Sequence, residues 1–469
     1  LEFASATFLF VFLPAVFLLY IVIPWHSVKN WLLIAAGLVF YAWGEPLYVL
    51  LMLFSVAVNY FLARAVGSCG EAAKRRKTLT VLAVVFNIGL LAVFKYSAFT
   101  VESFNSVFGA SLPAPKIASP LGISFFTFQA LSYVLDVSSG KIDAERSFAN
   151  VLLYISFFAQ LLQGPIIRYG DIRDEINSRR VTAQGAAEGL RLFILGMGMK
   201  LLIANTLGRV TAFVFGLEPS ALNAAYAWAG ALCFLLQIYF DFAGYSQMAI
   251  GLGMMFGFTI PQNFNYPYIA YSMTDFWRRW HITLSRWFRD YVYIPLGGNR
   301  CSALRTGLNK LIVFLLTGLW HGANWTFVVW GAYNGAFLLS ESCIKKTKFR
   351  LPKPVTWVYT ILAVTVGFVI FNSRDMAYAL AMIKSMFSGF NVGADTLAQL
   401  SLLLRPLVVV TFIAGVIGAT PAAKLVCQKL SGKPKLQFAL RYIAATAVFA
   451  LCLCYIALGN YNPSIYTQF

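Results

Sequence analysis

Apolar runs of membrane-crossing length recur along this chain. Residues 8–23, 47–63 and 438–458 are each long enough, or nearly so, to cross a hydrocarbon layer about 30 Å thick. Between them only 12% of the 469 residues are charged and 59% are hydrophobic. A soluble domain carries about twice that charged fraction. Mean hydropathy is +0.71. Lipid must therefore cover much of the surface, and backbone groups in lipid must be paired within the segment itself. The expected fold is an all-α polytopic membrane domain occupying residues 1–469. The first run has no basic stretch before it and no small-x-small site after it, so it reads as a retained span.

The formal net charge is +19. In a soluble protein that excess would point to nucleic acid. Here the basic residues fall between apolar runs, where they anchor cytoplasmic loops. Five clusters stand out: Lys74–Lys77, the arginines of 168–180, those of 286–310, the basic residues of 345–353, and the lysines of 424–435. Placing all five in the cytoplasm puts both termini outside. It predicts about eleven crossings, with a loop over 95–119. One of the segments 121–137 and 148–165 must then be re-entrant. The seven cysteines form no CxxC pair and read as small buried hydrophobes; no metal set is visible.

The stretch 239–338 reads unlike the other spans and is the expected catalytic core. Asp241 sits in an apolar run, and 275–300 packs five Arg, one His and two Asp among aromatics. His321 stands at the head of a run that reads as a helix over 319–337. Asn324 and Trp325, three and four residues on, would share its face. Ionisable groups at membrane depth are costly and normally face a cavity or the protein interior. Of the three histidines, His26 reads as an interfacial residue. His281 suits either a satisfied core histidine or a working one. His321 has the imidazole best matched to taking a proton from a hydroxyl near neutral pH. The Gly331–Gly335 spacing is explained by helix packing. The aromatics of 275–300 suit either an interfacial belt or a tunnel wall.

The stretches WRRWHITLSRWFRDYVYIPLGGNR and WHGANWTFVVWG resemble the membrane-bound O-acyltransferase family, in its bacterial polysaccharide-acetylation branch. FYAWGEP (40–46) and QGPIIRYG (163–170) extend the likeness over most of the chain. The resemblance implies helices around a thin centre, with a tunnel where a cytoplasmic acyl donor meets an acceptor. His321 falls on the position taken as catalytic in that family, and His281 on a second characteristic polar position. Gln247 stands where the branch often has an acid. The tail Ser464–Phe469 keeps part of a terminal motif whose tyrosine is thought to carry the acyl group, here Tyr466.

These resemblances imply a bacterial inner-membrane acetyltransferase that uses acetyl-CoA as donor substrate and no further cofactor. Arg278, Arg279, Arg286 and Arg289 would hold the phosphates of coenzyme A. Asn324 would steady the oxyanion. The tail 460–469 would lie outside, and an extracytoplasmic SGNH-type partner would deliver acetyl to an exported, alginate-like polysaccharide. Peptidoglycan acetylation and D-alanyl transfer to teichoic acid are the nearest rivals. A transporter or flippase is the rival of another class, although the paired repeats common in transporters are missing.

Overall fold

A computed structural model describes residues 2–344 and 351–459. Tyr466, the rest of the tail and residues 345–350 of the fourth basic cluster lie outside the described residues. All regular structure among the described residues is helical. Six helices are long and apolar enough to cross a membrane: Tyr48–Gly67, Ala73–Phe108, Ala183–Phe215, Ala224–Met255, Lys353–Asn372 and Pro434–Ala457. A seventh span is possible if Ala394–Leu403 and Pro406–Gly418, bent by 73° at their junction, are taken together. Shorter apolar helices such as Ile123–Ser138 make up the rest. Six or seven long spans are thus on view, against the expected count of about eleven.

Proline in the first turn opens Lys353–Asn372, Pro406–Gly418 and Pro434–Ala457, where its missing N–H costs nothing. The chain divides into two compact units. One comprises Leu1–Phe193 with Met248–Pro261, the other Ile194–Gln247 with Gln262–Phe469.

In the first unit, helix His26–Ala42 presses so closely on the chain at Ser156 that a Cβ on Gly37 would strike the Ser156 carbonyl oxygen. Helix Phe148–Ser156 has nine residues and rises about 13 Å, too little to cross hydrocarbon. It is followed by non-helical chain to Arg168, in keeping with a re-entrant piece. The expected loop over 95–119 is corrected: the chain stays helical to Phe108. A π-helical stretch, Ala92–Tyr96, carries it past Lys95, whose ammonium donates to Ser124 Oγ at 3.3 Å. His26 is half-buried and its Nε2 lies 2.7 Å from the Ile176 carbonyl oxygen, a structural tie.

In the second unit, helices Ala303–His321 and Trp325–Ile344 form a tight hairpin. A Cβ on Gly318 would meet the Phe327 carbonyl, one on Gly331 the Phe314 carbonyl, and one on Gly335 the side chain of Leu311. Lipid supplies no hydrophobic drive between helices, so close backbone approach at small residues does the packing. The G-x-x-x-G reading therefore holds. All seven cysteines are free; Cys69, Cys233 and Cys452 are buried, while Cys301, Cys343 and Cys454 are exposed, contrary to the expectation that the set is buried. Cys301 sits in a bend, and Cys343 and Cys454 on outward helix faces.

Candidate active site

Two short helices, Met273–Arg279 and Ile282–Phe288, carry the Arg- and Trp-rich segment. Their placement depends on a residue that the sequence did not single out. Glu341, buried in Trp325–Ile344, accepts hydrogen bonds from the amides of Met273 (2.6 Å) and Thr274 (2.9 Å) and from the Thr274 hydroxyl (2.6 Å). It thus satisfies N–H groups that a helix start leaves open. Ser272 caps the same helix through the Asp275 amide, at 3.0 Å. Trp277, Trp280 and Trp287 are buried, which makes them part of the interior and not of an interfacial belt. Trp277 Nε1 donates to Asn334 Oδ1 at 3.2 Å, tying this segment to the glycine-packed hairpin.

His281 occupies the break between the two short helices. Its φ of 44° is left-handed, a region that costs a non-glycine residue about 1–3 kcal/mol and persists where the surroundings fix it. They do so here: the Ile282 amide donates to the Asn263 carbonyl (2.9 Å), and the Ser285 amide to the His281 carbonyl (3.0 Å). The imidazole is fully buried.

Its tautomer follows from its neighbours. Asn263 Oδ1 accepts from the Thr283 amide (3.2 Å) and the Thr283 hydroxyl (2.9 Å), while Asn263 Nδ2 donates to Ser246 Oγ (3.2 Å). A backbone amide can only donate, so the asparagine oxygen faces this corner. His281 Nδ1, 3.2 Å away, must carry its proton toward that oxygen. The lone pair of a neutral His281 is then on Nε2, which is buried and makes no hydrogen bond among the described residues. His281 lies outside the six long spans. Burial, reinforced by His321 nearby, holds its pKa well below the usual histidine value, so the neutral form prevails.

His321 closes helix Ala303–His321 and is also buried. Its ring lies 5.2 Å from Trp330 and 5.2 Å from Phe371, edge to face with both. Trp320 joins the two histidines, with its ring 5.0 Å from that of His321 and 5.8 Å from that of His281. Phe242 lies 4.6 Å from His281. The two imidazoles therefore share one aromatic enclosure.

Asn324 departs from expectation. Gly322, extended at φ −172°, ends the helix immediately after His321, so Asn324 is not on a shared helical face. It caps the next helix instead: Oδ1 accepts from the Thr326 amide at 3.0 Å, and Nδ2 donates to the Arg374 carbonyl at 3.1 Å. Its carbonyl oxygen and one N–H are thus engaged in structure, and a second N–H remains on Nδ2.

The four arginines lie on one short stretch but in different states. Arg279 pairs with Asp275 at 3.0 Å, and Arg289 with Asp290 at 2.6 Å. Arg286 is half-buried, and Arg278 is exposed with no carboxylate partner among the described residues. Asp241 has a partner that sequence spacing could not reveal. Lys200 Nζ lies 2.6 Å from Asp241 Oδ1, both buried, with Lys200 on a π-helical turn, Met199–Ala204. Close packing of Gly244 on the Gly196 carbonyl brings the two backbones together there. No group of three His, Cys, Asp or Glu side chains is arranged to hold a metal among the described residues.

Comparison with known proteins identifies the family. The membrane-bound O-acyltransferase family model matches residues 142–374, which include both histidines. The probable alginate O-acetylase of Azotobacter vinelandii is 38% identical over 440 residues, covering 92% of this chain and 87% of that protein. The Pseudomonas aeruginosa counterpart is 40% identical over 391 residues, covering 82% and 75%. The peptidoglycan O-acetyltransferase of Helicobacter pylori is 34% identical over 422 residues, covering 82% and 80%. The chain belongs to the membrane-bound O-acyltransferase family and is a multi-pass membrane O-acyltransferase.

Proposed function

We propose that this protein takes acetyl from cytoplasmic acetyl-CoA and passes it through the inner membrane for O-acetylation of an exported, alginate-like polysaccharide. The observation that carries the reading is the meeting of His281 and His321 across Trp320 in one aromatic enclosure. The similarity to probable alginate O-acetylases over most of their length favours acetyl as the group and a polysaccharide as the destination. The transporter alternative finds no support in these relatives.

In this reading His321 is the general base. It takes the proton of the attacking hydroxyl as the oxygen adds to the thioester carbonyl carbon. The tetrahedral adduct then expels the coenzyme A thiolate, which recovers that proton from the imidazolium, so free thiol and oxygen ester are the products. His281 acts as a positioning residue: held by Asn263, it packs on Trp320, whose ring in turn lies against that of His321. The aromatic walls keep water from competing for the thioester. Arg278, Arg279, Arg286 and Arg289 would meet the donor phosphates, and the exposure of Arg278 and Arg289 supports that role for these two.

Tyr466 would carry acetyl between this site and an SGNH-type extracytoplasmic partner, and both termini would lie outside. Single cysteines at Thr347 and Asn460, in a cysteine-free background, test that orientation with an impermeant maleimide on intact cells. Labelling at 460 and not at 347 is expected; the reverse pattern overturns it.

The main test is acetyl content of the exported polymer in cells carrying His321→Ala, with protein level controlled. Loss of about 10²–10⁴-fold is expected for a missing general base. Wild-type acetylation would remove His321 from the chemistry. Tyr466→Phe should abolish polymer acetylation while leaving coenzyme A binding intact; normal acetylation would end the carrier role. The 34% identity to a peptidoglycan O-acetyltransferase favours peptidoglycan as the second reading, and acetyl appearing on muramic acid in place of the polysaccharide would select it.

A further inference from the structure

The first unit holds a recess that the acyl-transfer reading does not use. It has a volume of about 250 Å³ and is lined by Ala73, Arg76, Lys77, Thr80, Val81 and Ser138. Two of these are cations, and neither has a carboxylate partner among the described residues. Arg76 is half-buried and donates to the Gly70 carbonyl, which holds its guanidinium close to the recess wall. Thr80 Oγ1 lies 2.7 Å from Ser138 Oγ and 2.8 Å from the Arg76 carbonyl. These contacts tie helix Ala73–Leu91 to the end of helix Ile123–Ser138 and fix the recess between them. Lys74 and Arg75 add two exposed positive charges beside it.

The same helix continues directly into an apolar face. Val81, Leu82, Val85 and Ile88 are all exposed on it. An anion at the recess would therefore sit immediately beside a surface that only hydrocarbon covers well. A soluble phosphate makes use of the charges but not of that face. A phospholipid uses both, with its phosphodiester between Arg76 and Lys77 and its acyl chains along Val81–Ile88. Basic residues at the cytoplasmic surface attract anionic lipid with a useful strength per residue, and they do so over a short range.

We propose that this recess is a binding site for the phosphodiester headgroup of an anionic phospholipid. The proposal uses none of the residues of the histidine enclosure and does not rest on the proposed acetyl donor. The test uses the purified full chain and compares retention of phosphatidylglycerol with that of phosphatidylcholine of the same chain length, read by native mass spectrometry. Arg76→Gln with Lys77→Gln should weaken phosphatidylglycerol retention about 30-fold, at about fivefold for each basic residue near the surface. It should leave phosphatidylcholine retention and the melting temperature unchanged. Lys433→Gln with Lys435→Gln removes the same charge from exposed positions outside the recess and should have little effect.

Unchanged retention in the Arg76/Lys77 variant would overturn the proposal. Equal loss in both double variants would also overturn it, because the effect would then be surface charge in general. Inorganic phosphate provides the third arm. If it binds as tightly as phosphatidylglycerol and displaces it completely, the apolar face contributes nothing and the site belongs to a free anion, contrary to the proposal. A reversed single charge, Lys77→Glu, should produce a loss of at least about fivefold. No loss there would again count against the site.

Discussion

Two buried polar centres of the second unit sit at opposite extremes. Lys200 and Asp241 meet at 2.6 Å and neutralise each other. His281 and His321 instead stand among aromatic rings, and His281 Nε2 is left with an unused lone pair. Both arrangements cost free energy in a low-dielectric interior. A charge pair that satisfies itself has no capacity left for a substrate. An imidazole with an open lone pair holds that capacity in reserve. Under the proposed mechanism the difference separates a structural polar centre from a reactive one, and it can be broken from either side.

The largest effect is expected at the reactive centre. His321→Ala should lower acyl transfer by about 10²–10⁴-fold with near-normal folding. At the structural centre the pattern should reverse. Asp241→Ala removes the carboxylate that pairs with the buried Lys200 ammonium, at a cost of about 3–5 kcal/mol in stability. Thermal melting in detergent and activity per folded molecule separate the two: low melting with normal specific activity is the expected signature. A normal melting temperature with lost activity would move Asp241 into the reactive site.

A smaller effect follows from removing the support of the arginine- and tryptophan-rich helices. Glu341→Gln replaces an acceptor of four hydrogen bonds, from the Met273 and Thr274 amides and the Thr274 and Tyr359 hydroxyls, with a group that presents an N–H₂ to some of the same donors. A loss of about 1–3 kcal/mol is expected. Activity should fall with it, because Met273–Arg279 leads directly into His281. Asn324→Ala removes a helix cap and should cost about 0.5–2 kcal/mol in stability while sparing most specific activity. A loss of activity as large as that of His321→Ala would restore Asn324 to the chemistry.

The smallest effect concerns pH. The folded pKa of His281 lies below its unfolded value, so the unfolded chain binds more protons as pH falls through about 6.5. The contribution of His281 to stability is complete above that pH and is lost as pH falls below it, by at most about 1.4 kcal/mol per unit. His281→Asn should flatten this slope in a melting-temperature series between pH 7 and pH 5. An unchanged slope would mean that His281 is not held neutral.

The sequence made the broad class legible because long apolar runs leave a chain few options. Gly331 and Gly335 were legible as packing positions for the same local reason. Other features depend on residues far apart in the chain. Lys200 reads as an ordinary basic residue until folding places it against Asp241. The proton position on His281 depends on Asn263 and Thr283, and no spacing rule connects them. Gly322 breaks a run that is apolar on both sides, so periodicity carried the helix straight through it and put Asn324 on the wrong face. The loop over 95–119 came from counting crossings between basic clusters, a count that cannot see the π-helical stretch Ala92–Tyr96 or the contact of Lys95 with Ser124 on another helix. Glu341 lies in an apolar run near a basic cluster, and only the fold turns it toward the Met273 and Thr274 amides.

The most direct measurement compares the two centres in one experiment: release of coenzyme A thiol from acetyl-CoA by purified protein, normalised to the folded fraction, with the polysaccharide-side acceptor supplied. His321→Ala should retain the wild-type melting temperature and lose about 10²–10⁴-fold in rate. Asp241→Asn should lose melting temperature and keep its rate per folded molecule. Wild-type turnover in folded His321→Ala, or equal loss of rate in both variants, would contradict the assignment of the reactive centre to the histidines.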